Sequence, residues 1–170
     1  MFKSIDDFSL SQINFIFNKA KKLKNKNLNL LQNKIVCLLF FEPSTRTQYS
    51  FETSIQKLNG KILNVNCLNL STKKGESLQD TITTLEKYYD FLIIRHPDKD
   101  IFNNITLHKP FINAGNGNDE HPTQALLDLF TIYDHFPIIK TDYHIAFCGD
   151  LLNSRTIHSL IKVICFFYKE

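Results

Sequence analysis

A short apolar run that passes directly into a helical pattern is the feature that most constrains the fold of this chain. Residues 34–40, KIVCLLF, are apolar and rich in β-branched side chains, which predicts a buried strand. After a short polar turn, apolar residues recur at helical spacing as far as Gly60, which is a common helix stop. The motif between them, FFEPSTRT, therefore lies on a strand-to-helix turn.

The same alternation of strands and helices continues along the chain. The patterns predict helices at residues 8–24, 45–59, 77–89, 100–107 and 121–136, and strands at residues 34–40, 61–66, 91–94 and 110–113, with a loop at 115–120. Strands that are each followed by a helix predict an α/β fold, with a parallel sheet covered by helices on both faces. Ligands of such sheets bind beyond the carboxyl ends of the strands, where Arg46, Arg95 and His121 fall.

The last part of the chain is set apart by a predicted linker at residues 137–142. A strand is predicted at residues 143–148 and a helix from Asn153 onward. That helix ends in an apolar stretch that needs a partner, and the sequence offers few candidates.

The turn FFEPSTRT is suited to binding an anion. The first N–H groups of a helix lack intrahelical partners, and together with the helix dipole they attract negative charge. Arg46 would be opposed by the same dipole, at a cost of about 0.3–1 kcal/mol, unless an anion is also present. A phosphate would accept a charge-assisted contact from it. The alternative is that Ser44 or Thr45 only caps the helix while Arg46 pairs with Glu42.

Five segments occur in the same order as in one known family. They are FFEPSTRT continuing into SFET, KKGESLQDT at 73–81, IIRHP at 93–97, NAGNGNDEHPTQALLDLFTIY at 113–133 and GDLLNSRTIHSL at 149–160. Together they resemble the aspartate and ornithine carbamoyltransferases. The resemblance implies a carbamoyl phosphate-binding domain at residues 1–136, followed at 137–170 by the first strand and helix of an α/β aspartate-binding domain. We therefore expect a truncated chain.

The resemblance also implies a set of site residues. Carbamoyl phosphate would be bound by Ser44, Thr45, Arg46, Thr47, Arg95, His121 and Gln124. Of these, the catalytic residues would be Arg46, Thr47, Arg95 and His121, with Thr47 and His121 polarising the carbonyl group and Gln124 holding the amide. Lys74 and Arg155 match family positions that contact phosphate or the carboxylates of aspartate.

Each of these side chains has a simpler alternative when it is taken alone. Arg95 could end a strand in a surface ion pair. His121, followed by Pro122, could begin a helix without contacting a ligand. Lys74, beside another lysine in a polar loop, could be solvated charge.

The implied reaction transfers the carbamoyl group of carbamoyl phosphate to the amino group of L-aspartate, an early step of pyrimidine biosynthesis. The lysine of KKGES and the threonine of HPTQ favour aspartate, and ornithine is the alternative acceptor. A fragment that binds carbamoyl phosphate without turnover is a further alternative. Two departures are that Gln48 replaces a usual arginine, and that Ser71 lies three residues before Lys74 rather than four. The resemblance also implies a homotrimer with shared active sites.

Composition argues against several other classes of protein. The net charge of +3 is mild and favours a small anionic substrate over nucleic acid. The cysteines form no CxxC pair and the histidines no HxxxH motif, so we expect reduced thiols and neither a metal nor a cofactor. The apolar run at 160–168 is too short to cross a bilayer, and Asp6 and Asp7 argue against a signal peptide. We expect a cytoplasmic protein.

Overall fold

The computed structural model describes residues 1–24, 26, 28–67, 75–136 and 144–167. Its strands are β1 (Ile35–Phe40), β2 (Lys61–Val65), β3 (Phe91–His96) and β4 (Phe111–Asn116). After a 3₁₀ turn at Ile5–Asp7, its helices are α1 (Leu10–Leu23), α2 (Thr45–Lys57), α3 (Leu78–Leu85), α4 (Ile101–Asn104), α5 (Pro122–His135) and α6 (Arg155–Phe167). No helix among these residues is both long and apolar enough to span a bilayer.

The four strands form one parallel sheet in the order β2-β1-β3-β4. In the register of the sheet, Val36 of β1 lies opposite Phe91 of β3, and Leu92 lies opposite Phe111 of β4. The two central strands are buried along their middle four residues, as their apolar sequences predict. Because all strands run in the same direction, their carboxyl ends meet at one edge of the sheet.

Helices cover both faces of the sheet, and this confirms the predicted fold class. Successive side chains of β1 point to opposite faces. Cys37 and Leu39 pack into a core with α3, whereas Val36 and Leu38 pack on the other face with Ile55 of α2.

Helix α6 finds its partners in the first part of the chain. Val163 and Phe167 are buried in a third core with Phe17 of α1 and Leu129 of α5. The ring centroids of Phe17 and Phe167 are 5.9 Å apart. The prediction that the sequence offers this helix few partners is therefore wrong, because α1 and α5 together present an apolar surface that their separate patterns do not reveal.

Several predicted boundaries also differ from the structure. No strand forms at residues 144–148, because no described strand lies beside them to take up their hydrogen bonds. β3 is longer than predicted and includes Arg95, and β4 continues to Asn116, since His96 and Asn116 pair across the sheet. The predicted loop at 115–120 therefore begins inside β4. The helices α3 and α4 are both shorter than predicted.

Candidate active site

The predicted site residues meet where the carboxyl ends of β1, β3 and β4 face the first turns of α2, α5 and α6. They line a single open cavity of about 1430 Å³. Those that line it are Ser44, Thr45, Arg46, Thr47, Arg95, His121, Gln124 and Arg155. Lys74 and Ser71 lie outside the described residues.

All three arginines of the chain line this cavity. Arg46 comes from the first turn of α2, Arg95 from β3 and Arg155 from the first turn of α6. The chain has twenty lysines and arginines in total, of which only these three are arginines, and all three lie at the same cavity. The guanidinium group is suited to this position, because its planar fork of N–H donors matches the oxygens of phosphate and carboxylate groups.

The first turn of α2 leaves its polar groups available to a ligand. Ser44 is the N-cap residue, but its side chain makes no capping hydrogen bond. Arg46 is exposed and makes no ion pair with any described residue. The alternative in which Ser44 or Thr45 only caps the helix while Arg46 pairs with Glu42 is therefore wrong.

Glu42 instead pairs with the other two arginines. Its Oε2 lies 3.2 Å from Nε of Arg95 and 3.1 Å from Nη1 of Arg155. The carboxylate thus joins the end of β1 to β3 and to α6. From the sequence, Glu42 was considered only as an ion-pair partner of Arg46. Its position inside the FFEPSTRT motif was the signal that it belongs to the site.

Arg95 is a buried cation rather than a surface one. The residue is 9% exposed, and its Nη1 donates to the carbonyl oxygen of Ala114 at 3.3 Å. Its Nε–H is close to Glu42 but is not aligned for a hydrogen bond with any described acceptor. Burial, followed by the nearby charge of Arg155, lowers the pKa of Arg95. Binding of a second anion beside Glu42 would therefore stabilise the buried positive charge of Arg95.

His121 is the N-cap residue of α5 and is almost fully buried. Its Nε2 lies 3.4 Å from Oγ1 of Thr47, and its Nδ1 lies 3.4 Å from Oγ1 of Thr123. Burial, followed by the positive charges of Arg95 and Arg155, lowers the pKa of His121 from 6.5 to about 4. The imidazole is therefore neutral near pH 7, with one ring nitrogen that can donate a hydrogen bond.

The remaining side chains of the cavity are also held by defined partners. Gln124 donates its Nε2–H to Asp128 at 2.9 Å, and this leaves its carbonyl oxygen as the atom that can accept from a ligand N–H. Arg155 donates to the carbonyl oxygen of Gly117 at 2.6 Å. Ser159, which sequence analysis did not single out, accepts a hydrogen bond from the backbone N–H of His121 at 3.0 Å.

Glycine allows the arginines to approach the backbone of β4. Gly115 has φ +117°, and a Cβ atom there would lie 3.4 Å from Nη1 of Arg95 and 3.5 Å from Cζ of Arg155. A side chain at this position would therefore be strained and would crowd both guanidinium groups.

The geometry defines what the cavity can bind. Arginines, hydroxyl groups and the first N–H groups of a helix favour a phosphate-like anion. A neutral imidazole beside a threonine hydroxyl group favours a carbonyl oxygen on which negative charge develops. Among the described residues no group of histidine, cysteine and carboxylate side chains is arranged to hold a metal ion.

Comparison with known proteins agrees with this chemistry. The family model for the "aspartate/ornithine carbamoyltransferase, carbamoyl-P binding domain" matches residues 1–134. The aspartate carbamoyltransferase catalytic subunit of Archaeoglobus fulgidus is 44% identical over 172 residues, which cover 96% of this chain and 57% of that protein. The corresponding subunit of Thermococcus gammatolerans is 42% identical, with 98% of this chain and 56% of that protein covered.

Solved structures give the same result. Aspartate transcarbamoylase from Trypanosoma cruzi, in complex with carbamoyl phosphate and aspartate, superposes with a TM-score of 0.89 at 40% identity. The match covers 96% of this chain and 56% of that protein. The chain thus spans little more than half the length of these relatives.

Proposed function

The chain belongs to the aspartate/ornithine carbamoyltransferase family, and from this premise we propose that it is an aspartate carbamoyltransferase. The reaction transfers the carbamoyl group of carbamoyl phosphate to the amino group of L-aspartate and releases N-carbamoyl-L-aspartate and phosphate, as an early step of pyrimidine biosynthesis. The observation that carries the proposal is the convergence of all three arginines on the cavity that also contains His121 and Thr47.

The phosphate group is assigned to the first turn of α2. Ser44, Thr45 and Thr47 supply hydroxyl and backbone donors, and Arg46 supplies a cation that no described carboxylate neutralises. A bound phosphate removes the unfavourable interaction between Arg46 and the helix dipole. Arg95 completes the phosphate site from β3.

The carbonyl oxygen is assigned to Thr47, Arg95 and His121. When the amino group of aspartate attacks the carbonyl carbon, negative charge develops on this oxygen in a tetrahedral intermediate. Hydrogen-bond donors that are already held in place at this oxygen stabilise that charge without reorganisation. Since the pKa of His121 is about 4, the neutral imidazole acts as a hydrogen-bond donor and keeps its proton. Gln124 accepts from the carbamoyl amide through its carbonyl oxygen.

Aspartate is the proposed acceptor, with ornithine as the alternative. Two observations support aspartate: the threonine at position 123, which faces His121, and the names of the relatives that match most of the chain. Arg155 is proposed to contact a carboxylate of aspartate, and so is Lys74, which lies outside the described residues.

We further propose that residues 1–136 form the carbamoyl phosphate domain, that residues 137–170 begin the aspartate domain, and that the protein is a cytoplasmic homotrimer with shared sites.

The test combines binding and turnover. Binding of freshly prepared carbamoyl phosphate and of inorganic phosphate is measured by calorimetry, and product formation is followed with aspartate or with ornithine. Arg46→Ala should weaken the binding of both phosphate compounds about 10- to 100-fold, the loss of a charge-assisted contact. The matched control is Lys57→Ala, which removes an exposed cation from the opposite end of α2 and should change neither affinity.

The outcomes separate the alternatives. Turnover with aspartate that Arg46→Ala abolishes supports the proposed enzyme, and turnover with ornithine alone overturns the choice of acceptor. Binding without turnover favours a chain that binds carbamoyl phosphate only. Absence of binding by the wild-type chain overturns the proposed function.

A further inference from the structure

Helix α6 holds the turn that precedes His121 at several consecutive points. Arg155 donates to the carbonyl oxygen of Gly117 at 2.6 Å. Nδ1 of His158 lies 3.1 Å from the backbone carbonyl oxygen of Asn118. The contacts continue one and two turns further along the helix, where Ser159 and Lys162 reach the dipeptide Glu120–His121. One face of α6 thus contacts the turn along its whole length, from Gly117 to His121.

Glu120 is the best-connected residue of this turn. It is 5% exposed, and both of its carboxylate oxygens are used. Oε1 accepts from Lys162 Nζ at 2.6 Å and from Ser4 Oγ at 2.9 Å, while Oε2 accepts from the backbone N–H of Ile5 at 3.1 Å. Asp6, 3.3 Å from Lys162, is the other carboxylate at this point. A buried carboxylate with these donors has one well-defined position.

The position of Glu120 fixes that of His121. The backbone carbonyl oxygen of Glu120 accepts from the N–H of Asn116 at 3.1 Å, and the next N–H, that of His121, is held by Ser159. The peptide group between the two residues is therefore fixed from β4 on one side and from α6 on the other. Within the described part of the chain, the imidazole that extends from it has hydrogen-bonding contacts only to the two threonine hydroxyl groups, both at 3.4 Å.

We propose that Glu120, Ser159 and Lys162 are positioning residues for His121. They touch neither phosphate nor carbonyl oxygen, and they act by holding the backbone from which the imidazole reaches the carbonyl oxygen. This assignment rests on the proposed function for the identity of the ligand. It goes beyond that function because it gives α6 a role in the carbonyl half of the site, separate from the phosphate half at α2.

The experiment compares two ligands on the same variants. Lys162→Gln and Ser159→Ala should each weaken the binding of carbamoyl phosphate about three- to tenfold, the range for residues that act through a neighbour. Binding of inorganic phosphate, which is assigned to the first turn of α2 and to Arg95, should be unchanged. Lys162→Arg should restore the affinity for carbamoyl phosphate, because it restores a cation beside Glu120. The control is Lys21→Gln, which breaks a more exposed lysine–carboxylate ion pair, with Asp134.

A second measurement does not depend on the proposed ligand. In nuclear magnetic resonance spectra of the chain without ligand, Ser159→Ala should shift the backbone amide signal of His121, and Lys162→Gln should shift its ring signals. If wild-type carbamoyl phosphate binding is absent but these shifts occur, the proposed function fails and the positioning role stands. Equal weakening of both ligands, or unchanged ligand affinities with unchanged His121 signals, would overturn the positioning role.

Discussion

Nε2 of His121 and Oγ1 of Thr47 are 3.4 Å apart, although the two residues belong to different helices and are 74 positions apart in the chain. Thr47 lies in the first turn of α2 and His121 is the N-cap residue of α5, and both helix starts lie at the same edge of the sheet. The contact therefore depends on the parallel arrangement of β1, β3 and β4, which brings the two helix starts together.

The low pKa of His121 makes stability depend on pH. The unfolded chain binds a proton to this residue near pH 6.5, whereas the folded chain does so near pH 4, so the free energy of unfolding falls as the pH decreases through this range. The contribution of His121 should be fully present above pH 6.5, and the loss should reach about 3 kcal/mol at pH 4. Urea unfolding of wild type and His121→Gln from pH 4 to 7.5 measures the difference. Parallel curves for the two proteins would contradict it.

Replacing Glu42 with glutamine should destabilise the chain and increase the stabilisation that it gains from bound phosphate. The substitution removes the negative charge that lies within 3.2 Å of two guanidinium groups. We expect a loss of about 1–3 kcal/mol in the free energy of unfolding, because Arg95 is buried. Inorganic phosphate should raise the melting temperature of Glu42→Gln more than that of wild type. Equal increases would show that the anion does not occupy the position beside these arginines.

Gly115→Ala should impair the site as well as the fold. The added Cβ meets the guanidinium groups of Arg95 and Arg155, and φ is unfavourable for alanine. We expect about 1–2 kcal/mol of destabilisation and weaker binding of phosphate. Gly75→Ala is the matched control, since φ there is also positive, at +90°, but a Cβ would meet no atom of the described residues within 4 Å. If both variants bind phosphate like wild type, the close approach at Gly115 is not needed for the site.

The packing of α6 can be tested with two phenylalanines of α1. Phe17 is 1% exposed and contacts Phe167, whereas Phe15 is 61% exposed. Phe17→Ala should lower the free energy of unfolding by about 3–5 kcal/mol, and Phe15→Ala by less than about 0.5 kcal/mol. Chemical denaturation measures both values. A small effect of Phe17→Ala would mean that the core shared by α1, α5 and α6 contributes little to stability.

Local patterns were enough to predict the parallel sheet and the helices that cover it. The buried strands are continuous apolar runs, and each is followed by a helix whose periodicity is visible in the sequence. Boundaries were less accurate, because the ends of β3 and β4 depend on the pairing of His96 with Asn116, which lies far away in the chain. The missing strand at 144–148 has the same cause, since a strand needs a partner as well as a suitable sequence.

The sequence by itself determined which side chains could form an anion site, because Arg46, Arg95 and His121 each lie near the end of a strand or the start of a helix at the carboxyl edge of the sheet. Only the tertiary structure decided how they are paired. Glu42 binds Arg95 and Arg155 and leaves Arg46 without a described carboxylate partner. The physical reason is that ion pairs and burial depend on distances between elements, whereas sequence patterns report the conformation and exposed face of one element at a time.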